Sequence, residues 1–371
     1  MVTAVFFAFA IGIGLWAGSI PTLMRQTGLD LAGLGVALTL HTGAYIAAMA
    51  GGGQLARIVP PRRLMLLALA AGLPCFGVLF SAGSPLMLMA ALVAMGLSAG
   101  LLDLAMNAEG TSVERDLGRP VLLSMHAAAS AAFAIGALAG SMIAAQAGPR
   151  WCFGPVFAVT LPVALALHRL GPRPHAPVAP LAIPTRGRPG HGVARIGVML
   201  GLTICAEMAA QMWSARFLER QAVELAAFAG AGAAFFAGFQ ALVRLLGDAL
   251  RRRLGDQRVI TASLVVAALG FATVASSAWF VQSLVGFALV GLGTACVVPC
   301  CFALIARRAA GQAAAALGMA SLIAGAIRLP TPMVLGAVAA AYSEAHAFAG
   351  VAGALVVARL LAQRGSDERA G

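Results

Sequence analysis

Read for polarity alone, the chain is a succession of long apolar runs separated by short clusters of Arg, Pro, Gly and acidic residues. Crossing hydrocarbon as a helix takes about 20 mostly apolar residues, and twelve runs come close to that length. They lie near residues 2 to 20, 32 to 51, 64 to 81, 85 to 107, 121 to 146, 151 to 167, 195 to 213, 224 to 246, 259 to 277, 279 to 305, 313 to 341 and 343 to 362. The pattern predicts an all-α membrane protein of twelve transmembrane helices. The first run has no basic segment ahead of it and stays apolar beyond the core of a cleaved signal sequence, so it reads as the first span. A start directly inside an apolar run also fits a short cytoplasmic leader lying upstream.

The longest polar connection, 168 to 194, is rich in Pro, Arg and Gly and cannot form a span. It divides the chain into a six-helix bundle at 1 to 167 and a second at 195 to 362, with a tail from 363 to 371. The connection after the second span of each half is short and basic: "GQLARIVPPRR", residues 53 to 63, and "DALRRRLGDQR", residues 248 to 258. Their matching position points to an internal duplication.

Composition supports the membrane reading. Of 371 residues 61% are hydrophobic and 10% charged, too little polarity to cover a water-soluble domain. The net charge of +12 would suggest nucleic acid in a soluble protein. Here its placement matters more, and no nucleic-acid partner is expected. Most of the 25 basic residues fall in the connections after even-numbered spans and in the tail, whereas the other side carries only Arg25, Arg150, Arg216 and Arg220. By the positive-inside bias both termini are cytoplasmic. Every basic residue is Arg, which alongside the abundant Ala and Gly reads as codon bias. The six cysteines (Cys75, Cys152, Cys205, Cys296, Cys300, Cys301) fall in or beside apolar runs without the paired spacing of a zinc site, and read as small core residues. No metal or cofactor is expected.

Within so apolar a chain, the polar residues inside spans carry the chemistry. In "LLDLAMNAEGTSVERD", residues 101 to 116, and the turn before it, Gly96, Gly100, Asp103 and Asn107 recur at three- and four-residue steps and share one helix face. The glycines admit a neighbouring helix while Asp103 and Asn107 point into that contact or a cavity. A charge at the bilayer centre costs at least about 2.5 to 3.5 kcal/mol even on the lenient insertion scale. Burial disfavours the ionised form, so a sheltered carboxyl there is suited to carry a proton. The alternative is a residue near the span's end that caps packing or pairs with an Arg. Glu109, Glu114, Arg115, Asp116 and Arg119 read as an interfacial cluster of ion pairs.

His126 and Ser130 lie one turn apart in span five, as do His41 and Tyr45 in span two. A satisfied core histidine is the favoured reading of both, with a protonatable site near physiological pH as the alternative. Span seven, "LTICAEMAAQMW", places Thr203, Glu207 and Gln211 on one face, with Glu207 as a midspan acid. Arg328, in "GAIRLPTP", is the basic residue deepest in a span and needs a counter-charge or a polar cavity. Pro330 and Pro332 should kink span eleven behind it. Arg244 shares a face with Gln240 and Asp248, and a local pair with Asp248 is its plain reading. Trp16 completes the set of cavity candidates. There is no nucleophile motif, phosphate loop or metal cluster, so neither an enzyme nor an ATP-driven pump is expected.

The two basic connections resemble degenerate copies of the loop signature of the major facilitator superfamily, Gly-x-Leu-Ala-Asp-Arg-x-Gly-Arg-Arg. Leu55 and Ala56 are retained in the first and Leu250, Arg253 and Gly255 in the second, with Arg57 and Arg252 where the family has aspartate. The block "DLAMNAEGTSVERDLGRPVLLSMHAAASAAFAIGALAG", residues 103 to 140, is similar to the span-four to span-five region of the YbjJ-like branch of that superfamily. Its acid-x-Ala-x-Asn portion also resembles the fucose:proton symporters, in which that acid takes part in proton coupling. Glu207 and Trp213 match the branch's Ala-Glu-Gly-x-x-x-Asp-Trp segment, with Met212 in place of the aspartate. Arg244 coincides with a basic residue of the related transporters.

The resemblance implies a major facilitator fold in a bacterial inner membrane and secondary transport by alternating access. By it Asp103 would be the coupling acid and Asn107 a substrate or helix-contact residue. Proton coupling through Asp103, Glu207 and His126 is expected, with a sugar or polyol as substrate and a monomer as the working unit. Proton-driven efflux of lipophilic or cationic compounds is the alternative, drawn from the midspan acids and the many Met and Phe residues. A non-transporting receptor would need a larger extramembrane domain than any connection here supplies.

Overall fold

A computed structural model gives the architecture, and it describes residues 1–119, 121–171, 191–309 and 312–367. Most of the Pro/Arg-rich connection predicted at 168 to 194, and the end of the tail predicted from 363, lie outside the described residues. The described residues form an all-helical fold, with twelve helical passes among them long and apolar enough to cross a membrane.

The first six passes are α1 (Val2–Thr27), α2 (Leu31–Leu55), α3 (Pro61–Phe80), α4 (Pro85–Leu117), α5 (Leu122–Gln146) and α6 (Phe153–Leu170). The second six begin with α7 (His191–Gln221), α8 (Ala231–Leu254) and α9 (Asp256–Ala275). Span ten is then two helices, α10 (Phe280–Thr294) and α11 (Val297–Arg308), and so is span eleven, α12 (Ala313–Arg328) and α13 (Thr331–Ala341). The last pass is α14 (Glu344–Asp367). An even number of passes returns the chain to the face where it began, called the terminal face below; the other is the distal face.

Local chemistry sets the helix ends. Asp30 caps α2 by accepting from Gly33 N at 2.7 Å, and Ser84 caps α4 by accepting from Met87 N at 3.3 Å, with Pro85 opening the first turn. Gly28 closes α1 and Gly118 closes α4, both with positive φ. At 33 residues α4 is about 50 Å long, well beyond the hydrocarbon thickness. Its last turns therefore leave the apolar layer at the terminal face. Span four was expected to end near 107; the helix runs on through the charged turn, which puts Asp103 deep within it rather than at its end.

In that turn two of the acids reach beyond the turn itself. Glu109 is buried and pairs with Arg62 at the start of α3, 2.8 Å away, while Glu114 accepts from Leu122 N at 3.1 Å. In the second half the corresponding corner has Asp256, at the start of α9, holding Arg251 at 2.8 Å and also Arg307.

Close approach between α2 and α4 depends on Gly96 and Gly100. A Cβ on Gly100 would lie 2.3 Å from Tyr45 O and one on Gly96 2.5 Å from His41 O, so any side chain would push the helices apart. The two six-pass groups meet chiefly at the distal face. There Arg25 pairs with Glu219, Met333 N donates to Thr39 Oγ1 at 3.0 Å, and Ser141 Oγ donates to Ala227 O at 2.9 Å. Gly230 sits so tightly against α5 that a Cβ would fall 1.9 Å from Ala137 O.

The breaks in spans ten and eleven fall at the level of the central cavity. Pro299 has no N–H with which to continue the ladder into α10, which accounts for the interruption of a span expected to be continuous. Pro330 and Pro332 do the same behind Arg328, as their positions predict.

Candidate functional site

Between the two groups of helices lies a cavity of about 690 Å³, lined by α1, α2, α4 and α5 on one side and α7, α8, the α10–α11 break and Arg328 on the other. Its lining reaches Glu114, Leu122 and Arg251 beside the terminal face. Nine of the ten residues singled out from the sequence line it: Trp16, His41, Asp103, Asn107, His126, Glu207, Gln211, Arg244 and Arg328. Thr203 does not. It is fully buried and its hydroxyl donates back to Met199 O at 2.9 Å, so it closes on its own helix while the adjacent Ile204 faces the cavity.

On the first-half side a hydrogen-bonded chain runs across three helices. Tyr45 in α2 donates its hydroxyl to Asp103 Oδ2 at 2.5 Å. Asn107 Nδ2 donates to Asp103 Oδ1 at 3.0 Å and to its backbone oxygen at 2.9 Å. With the Asn107 amide nitrogen so engaged, its Oδ1 is an acceptor, which makes His126 Nε2, 3.1 Å away, the donor. The His126 ring meets Phe6 edge to face at 5.0 Å. His41 turns Nδ1 toward Leu92 O at 3.0 Å, leaving its other nitrogen as an acceptor, and packs against Trp16 at 5.1 Å.

The second-half side is built around Glu207. Gln240 Nε2 donates to Glu207 Oε1 at 2.9 Å and lies 3.4 Å from Thr294 Oγ1, at the end of α10. Ser130, from the first half, donates to Gln240 Oε1 at 3.2 Å and receives Arg244 Nη1 at 2.7 Å. The local pair expected between Arg244 and Asp248 involves a side chain outside the described residues. Arg328 lies over the Tyr45 ring, its guanidinium carbon 4.7 Å from the centroid, and its buried Nε has no hydrogen-bond partner among the described residues.

Both acids are thus hydrogen-bonded by neutral donors. Tyr45, Ser130 and Gln240, read from the sequence only as neighbours of His41, His126 and Arg244 on a shared face, join the site, and so does Thr294. Ser130 and Gln240 carry a faint signal, being polar residues one turn from His126 and Arg244 in apolar spans; Thr294 carries none. No group of three or more His, Cys, Asp or Glu side chains that could hold a metal occurs among the described residues. The six cysteines are free thiols, five of them buried.

A polar cavity at midspan, between two six-helix groups and beside interrupted helices, is the architecture of a secondary transporter. The comparisons agree. Residues 2–327 match the profile described as Major Facilitator Superfamily, and the chain belongs to that superfamily. It is 28% identical over 358 residues to an uncharacterized MFS-type transporter of Yersinia pestis, covering 94% of this chain and 90% of that protein. Among solved structures it is similar in fold to a mutant form of the nucleoside transporter NupG, with a TM-score of 0.78, 13% identity and 98% of each chain covered. The human organic anion transporter MFSD10 superposes with a TM-score of 0.67 at 18% identity, covering 97% of this chain and 98% of that one. The chain is therefore a multi-pass membrane transporter for a small molecule, and not an enzyme. Alternating access and proton coupling are typical of the superfamily.

Proposed function

We propose that the protein is a proton-coupled carrier of a small polar solute of the sugar or polyol class, working as a monomer in a bacterial inner membrane with its terminal face in the cytoplasm. The observation that carries this reading is the pairing of one acid from each half, Asp103 and Glu207, in a single cavity, each hydrogen-bonded by neutral donors. An acid engaged in that way can bind and release a proton without breaking an ion pair. The arginine-rich connections support the orientation, and the likeness of residues 103 to 140 to the YbjJ-like branch and the fucose:proton symporters supports the role of Asp103. His126, hydrogen-bonded to Asn107, extends the same chain toward α5. The likeness to NupG, a nucleoside transporter, supports a polar, hydroxyl-bearing solute as the class to try first. With its distal end sealed and its cavity reaching the terminal face, the conformation is the one open to the cytoplasm.

The test is transport into vesicles loaded with a pH-sensitive dye, with a panel of sugars, polyols and nucleosides outside and an imposed proton gradient. Wild type should acidify the lumen only with its solute present, and Asp103→Asn and Glu207→Gln should each abolish that coupled signal. Full proton-coupled transport by Asp103→Asn would remove the coupling assignment.

One feature favours a second reading. Phe6, Phe9, Phe133, Phe302, Met106, Met208 and Met212 make an adaptable apolar wall beside the polar groups, as an efflux carrier of lipophilic compounds requires. Drug resistance that rises on expression, with no uptake of any polar solute, would select it.

A further inference from the structure

We propose that the transported solute carries a carboxylate or phosphate group that seats on Arg328, and that protonation of Asp103 and Glu207 is what makes room for that negative charge. The inference rests on the transport reading above and names the chemistry of its substrate.

Arg328 is the last residue of α12, at the break in span eleven, and it lines the cavity. Taking a guanidinium out of bulk water calls for a counter-charge. Among the described residues no carboxylate is ion-paired with it, and its buried Nε is unpartnered. It packs on the face of Tyr45, which orients the planar group while leaving its fork free of any carboxylate. The carboxylate of Asp103 accepts from Tyr45 and Asn107 instead. Arg244 likewise bonds to Ser130, while Glu207 bonds to Gln240. Both acids lie within electrostatic reach of the arginines, but neither is hydrogen-bonded to one, and Arg328 presents the arrangement that a bound anion completes.

The charge balance links this seat to protons. Among the described residues, the inner cavity holds two arginines, Arg244 and Arg328, and two carboxyls. With both acids ionised the four charges cancel, and an entering anion gains no net attraction. With both protonated the two guanidiniums stand uncompensated, and an anion is favoured. Asp103 faces Tyr45, Asn107 and Arg328; Glu207 faces Gln240, Thr294, Arg244 and Arg328. His41 and His126 are engaged with Leu92 O and Asn107. Glu114 and Arg251 lie nearer the terminal face, where Arg251 is held by Asp256.

The experiment is ligand-induced thermal stabilisation of the purified protein at acid and neutral pH, using skeletons matched for charge. Gluconate, glucose and glucosamine make one set, benzoate, benzyl alcohol and benzylamine a second, and glucose 6-phosphate separates phosphate from carboxylate. Acids should stabilise the wild type more than their neutral or amine counterparts, and more at acid pH. Arg328→Gln should weaken acid binding by about 10- to 100-fold, the loss expected for a hydrogen bond to a charged group. Arg328→Lys keeps the charge without the fork and should fall between; it also shows whether a loss in the Gln variant comes from misfolding. Stabilisation by neutral or amine members in preference to acids, silence of every acid, or wild-type acid affinity in Arg328→Gln would each overturn the proposal. Proton-linked transport of a neutral solute sinks this inference alone, whereas acid binding without proton movement sinks the coupling and leaves the seat.

Discussion

The two acids of the cavity sit in hydrogen-bond networks of different reach. Every partner in the chain Tyr45–Asp103–Asn107–His126 belongs to the first six passes, so the chain would travel as one body if the halves rock. Glu207 is held by Gln240, but Gln240 and Arg244 are both tied to Ser130 in the opposite half. The hydrogen-bonded chain of Asp103 stays within one half and meets the other through Arg328 stacked on Tyr45, whereas that of Glu207 crosses the interface by hydrogen bonds to Ser130. On the proposed coupling, a proton on Asp103 would be sensed mainly by hydrogen-bond partners that move with it, and by Arg328 from the other half, whereas the hydrogen bonds behind Glu207 would change whenever the halves separate. The difference gives distinct surroundings to two residues that composition alone would make equivalent.

The most damaging way to break the comparison is to part α2 from α4. Gly100→Leu would place a side chain where even a Cβ falls 2.3 Å from Tyr45 O. Overpacking of this kind costs about 1–3 kcal/mol or more, and it would pull Tyr45 from Asp103. The variant should melt at lower temperature and lose transport, while Gly238→Ala in α8, where an added Cβ meets nothing within 4 Å, should match wild type in both. Equal melting temperatures for the two variants would show that the helix contact does not hold the first network.

That contact was half legible in the sequence. The spacing of Gly96, Gly100, Asp103 and Asn107 lies within one helix, where a three- and four-residue period fixes the shared face. The partner on the other side, Tyr45, is 58 positions away and reaches Asp103 only through packing. The bonds of Ser130 to Gln240 and Arg244 span more than 100 positions and were invisible for the same reason. Thr203 shows the converse limit: it shares a face with Glu207 and Gln211, yet its hydroxyl turns back to Met199 O and the adjacent Ile204 meets the cavity in its place. The spans themselves were readable because hydrocarbon thickness imposes a length. The interruption at Pro299 was not, since a proline in an apolar run is compatible with either a kink or a continuous helix.

A smaller change sharpens the first network without disturbing the packing. Tyr45→Phe keeps the ring under Arg328 and removes the hydroxyl, which donates to Asp103 and also lies within reach of the Arg328 guanidinium. A hydrogen bond to a charged group is worth about 1.5–3 kcal/mol, and this one stays inside one half. Proton-coupled transport should fall by about 10- to 100-fold, with the balance between cytoplasm-open and distal-open forms unchanged. A shift in that balance, read as distances between spin labels at the terminal ends of α4 and α11, would mean the Tyr45 hydroxyl also acts across the interface.

Ser130→Ala is the mildest substitution and the most direct probe of the second network. It deletes one hydroxyl, which donates to Gln240 and accepts from Arg244 across the interface. On the proposed terminal-face-open reading both bonds belong to that conformation, so their loss should raise its free energy relative to one in which the halves have rocked the other way. At about 0.5–1.5 kcal/mol for an ordinary hydrogen bond, the population ratio should move toward the distal-open form by about 2- to 10-fold, with little change in thermal stability. Transport should become asymmetric, because a population bias alters the rate at which the site is presented to each side. Asp103 should be untouched, since none of its hydrogen bonds passes through Ser130. If Ser130→Ala leaves the label distances as they are, the bonds between the halves persist through the cycle in altered form, and the division of labour between the two acids fails at that point.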